Sequence, residues 1–273
     1  MTKSSSTTFL RHDLPSWLEV MADEPSYLVA YTDRGAVEVA SSPYDTFNIC
    51  HYTGDDVDHV GKCRALLAEW LDVGVENLVV PRQTHSVNVA VVGRLPVAAE
   101  EVEGTDGVAT VLKEVAIGVS TADCVPVILV DSEAGVVAAI HAGWRGAVGG
   151  VVQNGVRRIK ELGAEPARTL AYIGPSICID CFEVGEEVAA RFPEECVERY
   201  ADGRRPHVDL PGYVCRVLEE AGLRGPNIRP FEKTRCTRCH PDRYFSARSL
   251  GVGSGRNFTF VMLRTGAEAR QSV

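Results

Sequence analysis

The stretch from residue 78 to residue 142 constrains the fold most, because its apolar, β-branched runs arrive one after another instead of alternating with helices. Residues 78–80, 87–92, 108–111, 115–119, 127–130 and 136–140 each read as a strand. A strictly parallel βαβ chain inserts an amphipathic helix between successive strands, so this order predicts an α+β class. The expected architecture is a mixed α+β or layered-sheet one.

Around this block, Asp55 and Asp56 precede Val57, Val60, Leu66, Leu67, Trp70 and Leu71, a helical spacing with carboxylates at the positive end of the dipole. A second helix is predicted over 146–163, carrying Val151, Val152, Val156 and Ile159 on one side and ending at Gly163. Shorter helices are predicted at 185–191 and 213–220, with strands at 170–173 and 258–263. Residues 27–31 and 36–40 flank Asp33, Arg34 and Gly35 and read as an opening hairpin. Residues 1–20 read as a mobile start. No repeat, low-complexity tract or linker divides 21–273, which therefore reads as one domain.

Composition limits the function classes. A net charge of −9 and a pI near 5.3 argue against a nucleic-acid partner or a membrane surface. Arg11, His12 and Asp13 interrupt the apolar core that a signal peptide needs, and no stretch is long and apolar enough for a membrane span. Nine cysteines at irregular spacing point to reduced thiols and a cytoplasmic setting, not a disulfide framework. The glycines of 143–150 miss the G-x-G-x-x-G fingerprint, and no P-loop lysine is present.

Three segments place a soft or borderline metal ligand at a strand edge: Arg82-Gln83-Thr84-His85, Thr121-Ala122-Asp123-Cys124, and Ala139-Ile140-His141 running into Gly143-Trp144-Arg145-Gly146. Two imidazoles and a thiolate are an accepted zinc set that leaves a fourth position for water or substrate. The gaps, 39 residues and then 17, are too long for one loop, so only the fold can unite them. Three separate, partly buried side chains is the competing reading. Cys124 with His141 or His85 also reads as the nucleophile and base of a Cys-His hydrolase. Arg145, at the start of the 146–163 helix, reads as a phosphate anchor or as a solvated cation. Asp123 reads as an orienting or proton-moving carboxylate or as a turn residue.

Two cysteine pairs stand apart from this set. Cys236-Thr237-Arg238-Cys239-His240 matches the haem-attachment pattern C-x-x-C-H, which without export machinery is read as a chance match. Cys178 and Cys181 with Cys236 and Cys239 would make a four-thiolate zinc site, although the 55-residue step from Cys181 to Cys236 exceeds the usual ribbon spacing. This pairing is kept as a second, structural metal.

Taken in order, Gln83-Thr84-His85, Thr105-Asp106-Gly107-Val108, Thr121 to Pro126, His141 to Gly146, Ile173 to Ile177 with Phe182 to Gly185, and Phe245-Ser246-Ala247-Arg248 with Gly255-Arg256 resemble the YfiH family. Its members are labelled laccase-domain or polyphenol oxidase proteins and are associated with purine nucleoside phosphorylase activity. The resemblance implies a single-domain layered α/β sandwich with mixed sheets and outer helices, and zinc held by His85, Cys124 and His141, with copper as the alternative ion. It implies phosphorolysis of adenosine, inosine or methylthioadenosine, together with adenosine deamination. Arg145 or Arg248 would then anchor an anion, and Asn48 and Ser246 would contact base or ribose. The alternatives are a copper-dependent polyphenol oxidase, a Cys-His hydrolase and an enzyme editing cell-wall precursors. Seven scattered histidines are few for a multicopper enzyme. The expected partners are small molecules, and the chain is expected to be a monomer or homodimer. Cys239 and His240 depart from the family pattern.

Overall fold

The computed structural model describes residues 14–35 and 42–265. In chain order, the N-terminal half holds β1 (Leu18–Glu24), β2 (Tyr27–Thr32), α1 (Val57–Leu71), β3 (Leu78–Val79), β4 (Val89–Val92), β5 (Gly107–Thr110) and β6 (Ala116–Thr121). Then follow β7 (Val125–Asp131), β8 (Val136–Ala142), α2 (Trp144–Gly149), α3 (Val151–Glu161) and β9 (Leu170–Ile173). The remainder comprises α4 (Glu186–Ala189), β10 (Val197–Glu198), β11 (His207–Val208), α5 (Leu210–Glu220), β12 (Ile228–Arg229), α6 (Ala247–Leu250) and β13 (Asn257–Leu263).

Two mixed sheets carry the molecule. One runs β1-β2-β13-β6-β3 and the other β12-β9-β7-β8-β5-β4. Alternate residues of each strand face opposite sides, and here both sides are covered. Val29, Ile117, Val119 and Val261 of the first sheet meet Ile128, Val130, Val137 and Ala139 of the second. The intervening residues Leu28, Ala30, Phe258 and Phe260 pack under Cys63, Leu67 and Leu71 of α1. On the far side, Val127, Leu129, Ala138 and Ile140 pack under Val152, Val156 and Ile159 of α3 and Val214 and Leu218 of α5. The result is a four-layer helix, sheet, sheet, helix sandwich. It explains why the central strands read as continuous apolar runs, not alternating ones. Each fully buried Ile or Leu contributes roughly 1.5–3 kcal/mol, so these layers dominate stability.

Local signals account for the helices. Asp56 caps α1 by accepting from the His59 amide at 2.9 Å, and Asp72 ends it in the left-handed region at φ 56°. The helix expected over 146–163 is two helices, because Gly150 adopts φ 102° and breaks the run between α2 and α3. At Gly155 of α3 an added Cβ would lie 2.1 Å from Ile140 Cδ1, so glycine allows the close approach of α3 to β8.

Of the stretch expected as a mobile start, residues 1–13 lie outside the described residues, and its last residues differ from the expectation. Strand β1 begins at Leu18, inside the stretch expected to be a mobile start, because Leu18 is buried and β1 pairs antiparallel with β2. The opening hairpin is therefore β1 with β2, and the other neighbour of β2 is β13. Residues 36–40, expected as the second strand of that hairpin, lie outside the described residues. Among the described residues no helix is long and apolar enough to cross a membrane.

Candidate metal centre

Strand register assembles the site. Strand β8 pairs with β7 so that His141 stands opposite Pro126, and with β5 so that Ile140 stands opposite Gly107. Cys124, immediately before β7, and Asp106, immediately before β5, are thereby brought to either side of His141. The His141 amide donates to the Asp106 carbonyl at 2.7 Å.

His85 reaches the same place from a loop. Its backbone is left-handed at φ 60°, a costly conformation for a side-chain-bearing residue. Asp106 supplies the compensation: its carboxylate accepts from the amides of Thr84 at 3.1 Å, His85 at 2.9 Å and Ser86 at 2.6 Å, and from the Ser86 hydroxyl at 2.7 Å. The same carboxylate accepts from His141 Nδ1 at 2.7 Å, which turns Nε2 away from Asp106. One buried aspartate thus sets the positions of both imidazoles.

The outcome is a convergent donor set. One ligand atom each from His85, Cys124 and His141 lies within 4.8 Å of the others, and Cys124 Sγ is 3.7 Å from His85 Nε2. His141 is buried, Cys124 half-buried and His85 exposed, so the cluster opens to solvent on the His85 side. Burial opposes charge on Cys124, but His141 and His85 outweigh it and lower the thiol to about 6. Burial also opposes charge on His141, and the Cys124 thiolate and Asp106 raise it above the ordinary histidine value. At Asp106, burial is outweighed by His141 and by the Ser86 hydroxyl and amide, which hold the carboxyl at about 2.

These residues suit a zinc-sized ion. The donors are two borderline nitrogens and a thiolate, with a carboxylate behind one imidazole. The space between them is kept clear by Gly143, where an added Cβ would lie 2.7 Å from His85 Cδ2 and 3.1 Å from Cys124 Sγ.

The other expected site residues are distributed differently. Asp123 is engaged at both oxygens away from the imidazoles: Oδ1 accepts from the Thr237 hydroxyl at 2.7 Å and Oδ2 from the Arg248 amide at 2.8 Å. It ties the Cys124 loop to the C-terminal segment. Asn48 is wholly buried; its Oδ1 accepts from the amides of Cys50 and Arg256, and its Nδ2 donates to Asp55, so it braces loops. Ser246 is also wholly buried, and its hydroxyl has no hydrogen-bond partner among the described residues. Arg248 lies over the Phe182 ring and donates to the Glu183 carbonyl at 2.9 Å. Arg145 is exposed, with its guanidinium 4.4 Å from the Trp144 ring centroid. A cleft of about 380 Å³ lined by His51, Arg64, Val80, Arg82 and Glu103 contains none of the three ligand-type residues.

Asp106 is the residue of this cluster that the pattern of ligand types leaves out. Its signal in the sequence is a carboxylate directly before the apolar run Gly107-Val108-Ala109-Thr110, a place more often held by a turn residue.

A family model described as multi-copper polyphenol oxidoreductase laccase matches residues 29–264. The chain belongs to that family. Within the laccase family, this chain is similar to adenosine deaminase RL5 from an unknown prokaryotic organism, with 44% identity over 240 residues, covering 84% of this chain and 90% of the relative. It is 36% identical over 234 residues to a purine nucleoside phosphorylase of Bacteroides thetaiotaomicron, covering 81% of this chain and 86% of that one. The crystal structure of the Bacillus licheniformis hypothetical protein YfiH superposes with a TM-score of 0.80 at 25% identity, covering 90% of this chain and 99% of that one. The laccase-family fold with its mixed sheets is therefore as the YfiH resemblance implies.

Proposed function

We propose that this protein is a zinc-dependent purine nucleoside phosphorylase that also deaminates adenosine. The observation that carries the reading is the convergence of His85, Cys124 and His141 at a solvent-open edge, in a chain whose relatives are named for these two activities.

His85, Cys124 and His141 would hold the ion, which supplies Lewis acidity toward the purine when bound. The rest is the work of the chain. Asp106 fixes the His141 ring through Nδ1 and fixes the His85 turn through three amides, so neither imidazole has to be ordered when substrate arrives. Gly143 keeps the approach open. Arg145, two residues beyond Gly143 and exposed, is the cation best placed along the chain to meet phosphate; Arg248 is already engaged with Glu183 and Phe182. Asp123 keeps Cys124 in register without entering the reaction.

The polyphenol oxidase reading receives less support. Among the described residues only two groups of three or more ligand-type side chains converge, and only one contains histidine, whereas multicopper chemistry needs several histidine clusters. The Cys-His hydrolase reading shares Cys124 and is separated by reactivity: a free thiolate is alkylated rapidly, and a metal-bound one is protected.

The test is incubation of chelator-free protein with adenosine, with and without phosphate, and chromatography of the products. Adenine formed only with phosphate and inosine formed without it are the expected results. Absence of both, in protein that contains its metal, overturns the proposal.

A further inference from the structure

The fold brings together a second group of metal-binding side chains that the proposed reaction does not use. Cys178 and Cys181 flank the turn after β9, Cys236 and Cys239 flank the turn after β12, and the four sulfurs all lie within 4.8 Å of one another. We propose that these four cysteines bind one zinc ion as a structural clip, in addition to the centre formed by His85, Cys124 and His141.

The distances favour a metal over disulfides. Four sulfurs at about 2.3 Å from a tetrahedral zinc are about 3.8 Å apart along each edge. Cys181 and Cys239 Sγ are 3.5 Å apart, and Cys178 and Cys239 Sγ 4.0 Å, whereas a disulfide requires about 2.05 Å. Both halves have the C-x-x-C spacing of a zinc knuckle, and each closes a tight turn: the Cys181 amide donates to the Cys178 carbonyl at 3.1 Å, and the His240 amide to the Cys236 carbonyl at 3.2 Å.

The surroundings suit the charge. A divalent ion with four thiolates carries a net double negative charge, and binding releases the thiol protons. The Cys178 amide donates to Cys236 Sγ at 3.3 Å. The Lys233 ammonium pairs with Asp180 beside the cluster, and Arg238 donates to the Cys181 carbonyl at 3.4 Å. Cys236 is wholly buried and directed to the other sulfurs, which also disposes of the haem reading of this motif.

The clip has a structural consequence. It fastens the C-terminal segment where Ser176 and Cys236 form a parallel bridge and the Thr237 amide donates to the Ser176 carbonyl at 3.0 Å. Thr237 is the residue whose hydroxyl holds Asp123, the neighbour of Cys124. The 55-residue separation is outside ribbon spacing because strand pairing between β9 and β12, not a short loop, brings the two knuckles together.

The test is zinc content per chain after dialysis against a weak chelator, measured for wild type, Cys124→Ala and the double variant Cys181→Ser with Cys239→Ser. Two equivalents in wild type and one in each variant are expected. Where the double variant does not fold, cobalt titration of Cys124→Ala decides: strong thiolate-to-cobalt charge-transfer absorption at one equivalent supports the clip, and its absence overturns it. One equivalent in wild type that disappears entirely in Cys124→Ala also overturns it. So do tightly held iron in place of zinc and an intact mass showing a disulfide within the four cysteines.

Discussion

His141 Nδ1 lies 2.7 Å from Asp106 Oδ1, and the same carboxylate receives the amides of Thr84, His85 and Ser86. Two ligand-bearing segments far apart along the chain are therefore governed by one residue. Asp106→Asn keeps the size but removes the charge and one acceptor. Loss of such an outer partner weakens metal binding about 10- to 100-fold, which competition with a chromogenic chelator measures. Because the folded carboxyl sits at about 2, below its unfolded value of about 3.9, Asp106 stabilises the metal-free protein above that range and loses its effect as pH falls toward 2. The Tm difference between the metal-free wild type and Asp106→Asn should shrink below about pH 4.

Gly143 is expected to tolerate no side chain while the metal is bound. Its φ of −68° is ordinary, so Gly143→Ala brings no backbone strain, and the effect comes from a methyl group against His85 and Cys124. A Tm within a few degrees of the metal-free wild type, with metal affinity reduced by about 10-fold or more, is the anticipated pattern. Unchanged affinity contradicts the proposed position of the ion.

Cys124 in chelator-treated protein should be alkylated by iodoacetamide with a midpoint near pH 6, against about 8.5 for an ordinary cysteine. The folded value is depressed, so thiolate persists at neutral pH and is lost only as pH falls through that midpoint. Zinc-loaded protein should be protected at this residue, as peptide mass spectrometry can show. A midpoint near the ordinary value argues against the pairing with His141 and His85.

Asp123→Asn separates a tether from a proton carrier. An amide at this position still accepts from the Arg248 amide and donates to the Thr237 hydroxyl, so activity close to that of wild type is expected. Asp123→Ala leaves those donors unpaired and adds strain at φ 88°, with an expected loss of about 1–3 kcal/mol in denaturant unfolding. A loss of activity by several orders of magnitude in Asp123→Asn restores the proton-moving role.

Much of the fold is legible in the amino-acid sequence, and the reasons lie in particular residues. Helix α1 is marked at its start by Asp56 and by the spacing of Val60, Leu67 and Leu71. The β8 run Val136 to Ile140 is marked by unbroken apolar residues, since α3 covers one face and the other sheet the second. Strand β1 leaves a weak signal because only Leu18 of its seven residues is buried. The break at Gly150 is signalled by the Gly149-Gly150 pair but masked by the helical spacing of Val151, Val152, Val156 and Ile159, and only the left-handed φ of Gly150 makes it explicit. Asn48 and Asp123 illustrate a different limit: a polar side chain looks the same in a sequence whether it faces a ligand or a neighbouring amide.

The sequence by itself determined most of the strand and helix segments and the supply of metal-binding side chains, because apolar periodicity and residue chemistry are local properties. Only the tertiary structure decided that His85, Cys124 and His141 share one place, that Asp106 governs two of them, and that four cysteines from two distant turns face one another. The pairing of β8 with β5 and β7 brings Asp106, Cys124 and His141 together, the Asp106 carboxylate then holds the His85 loop, and the pairing of β9 with β12 brings the cysteine turns together. Strand register joins residues by hydrogen bonds between segments remote along the chain, and no local pattern encodes which segments those are.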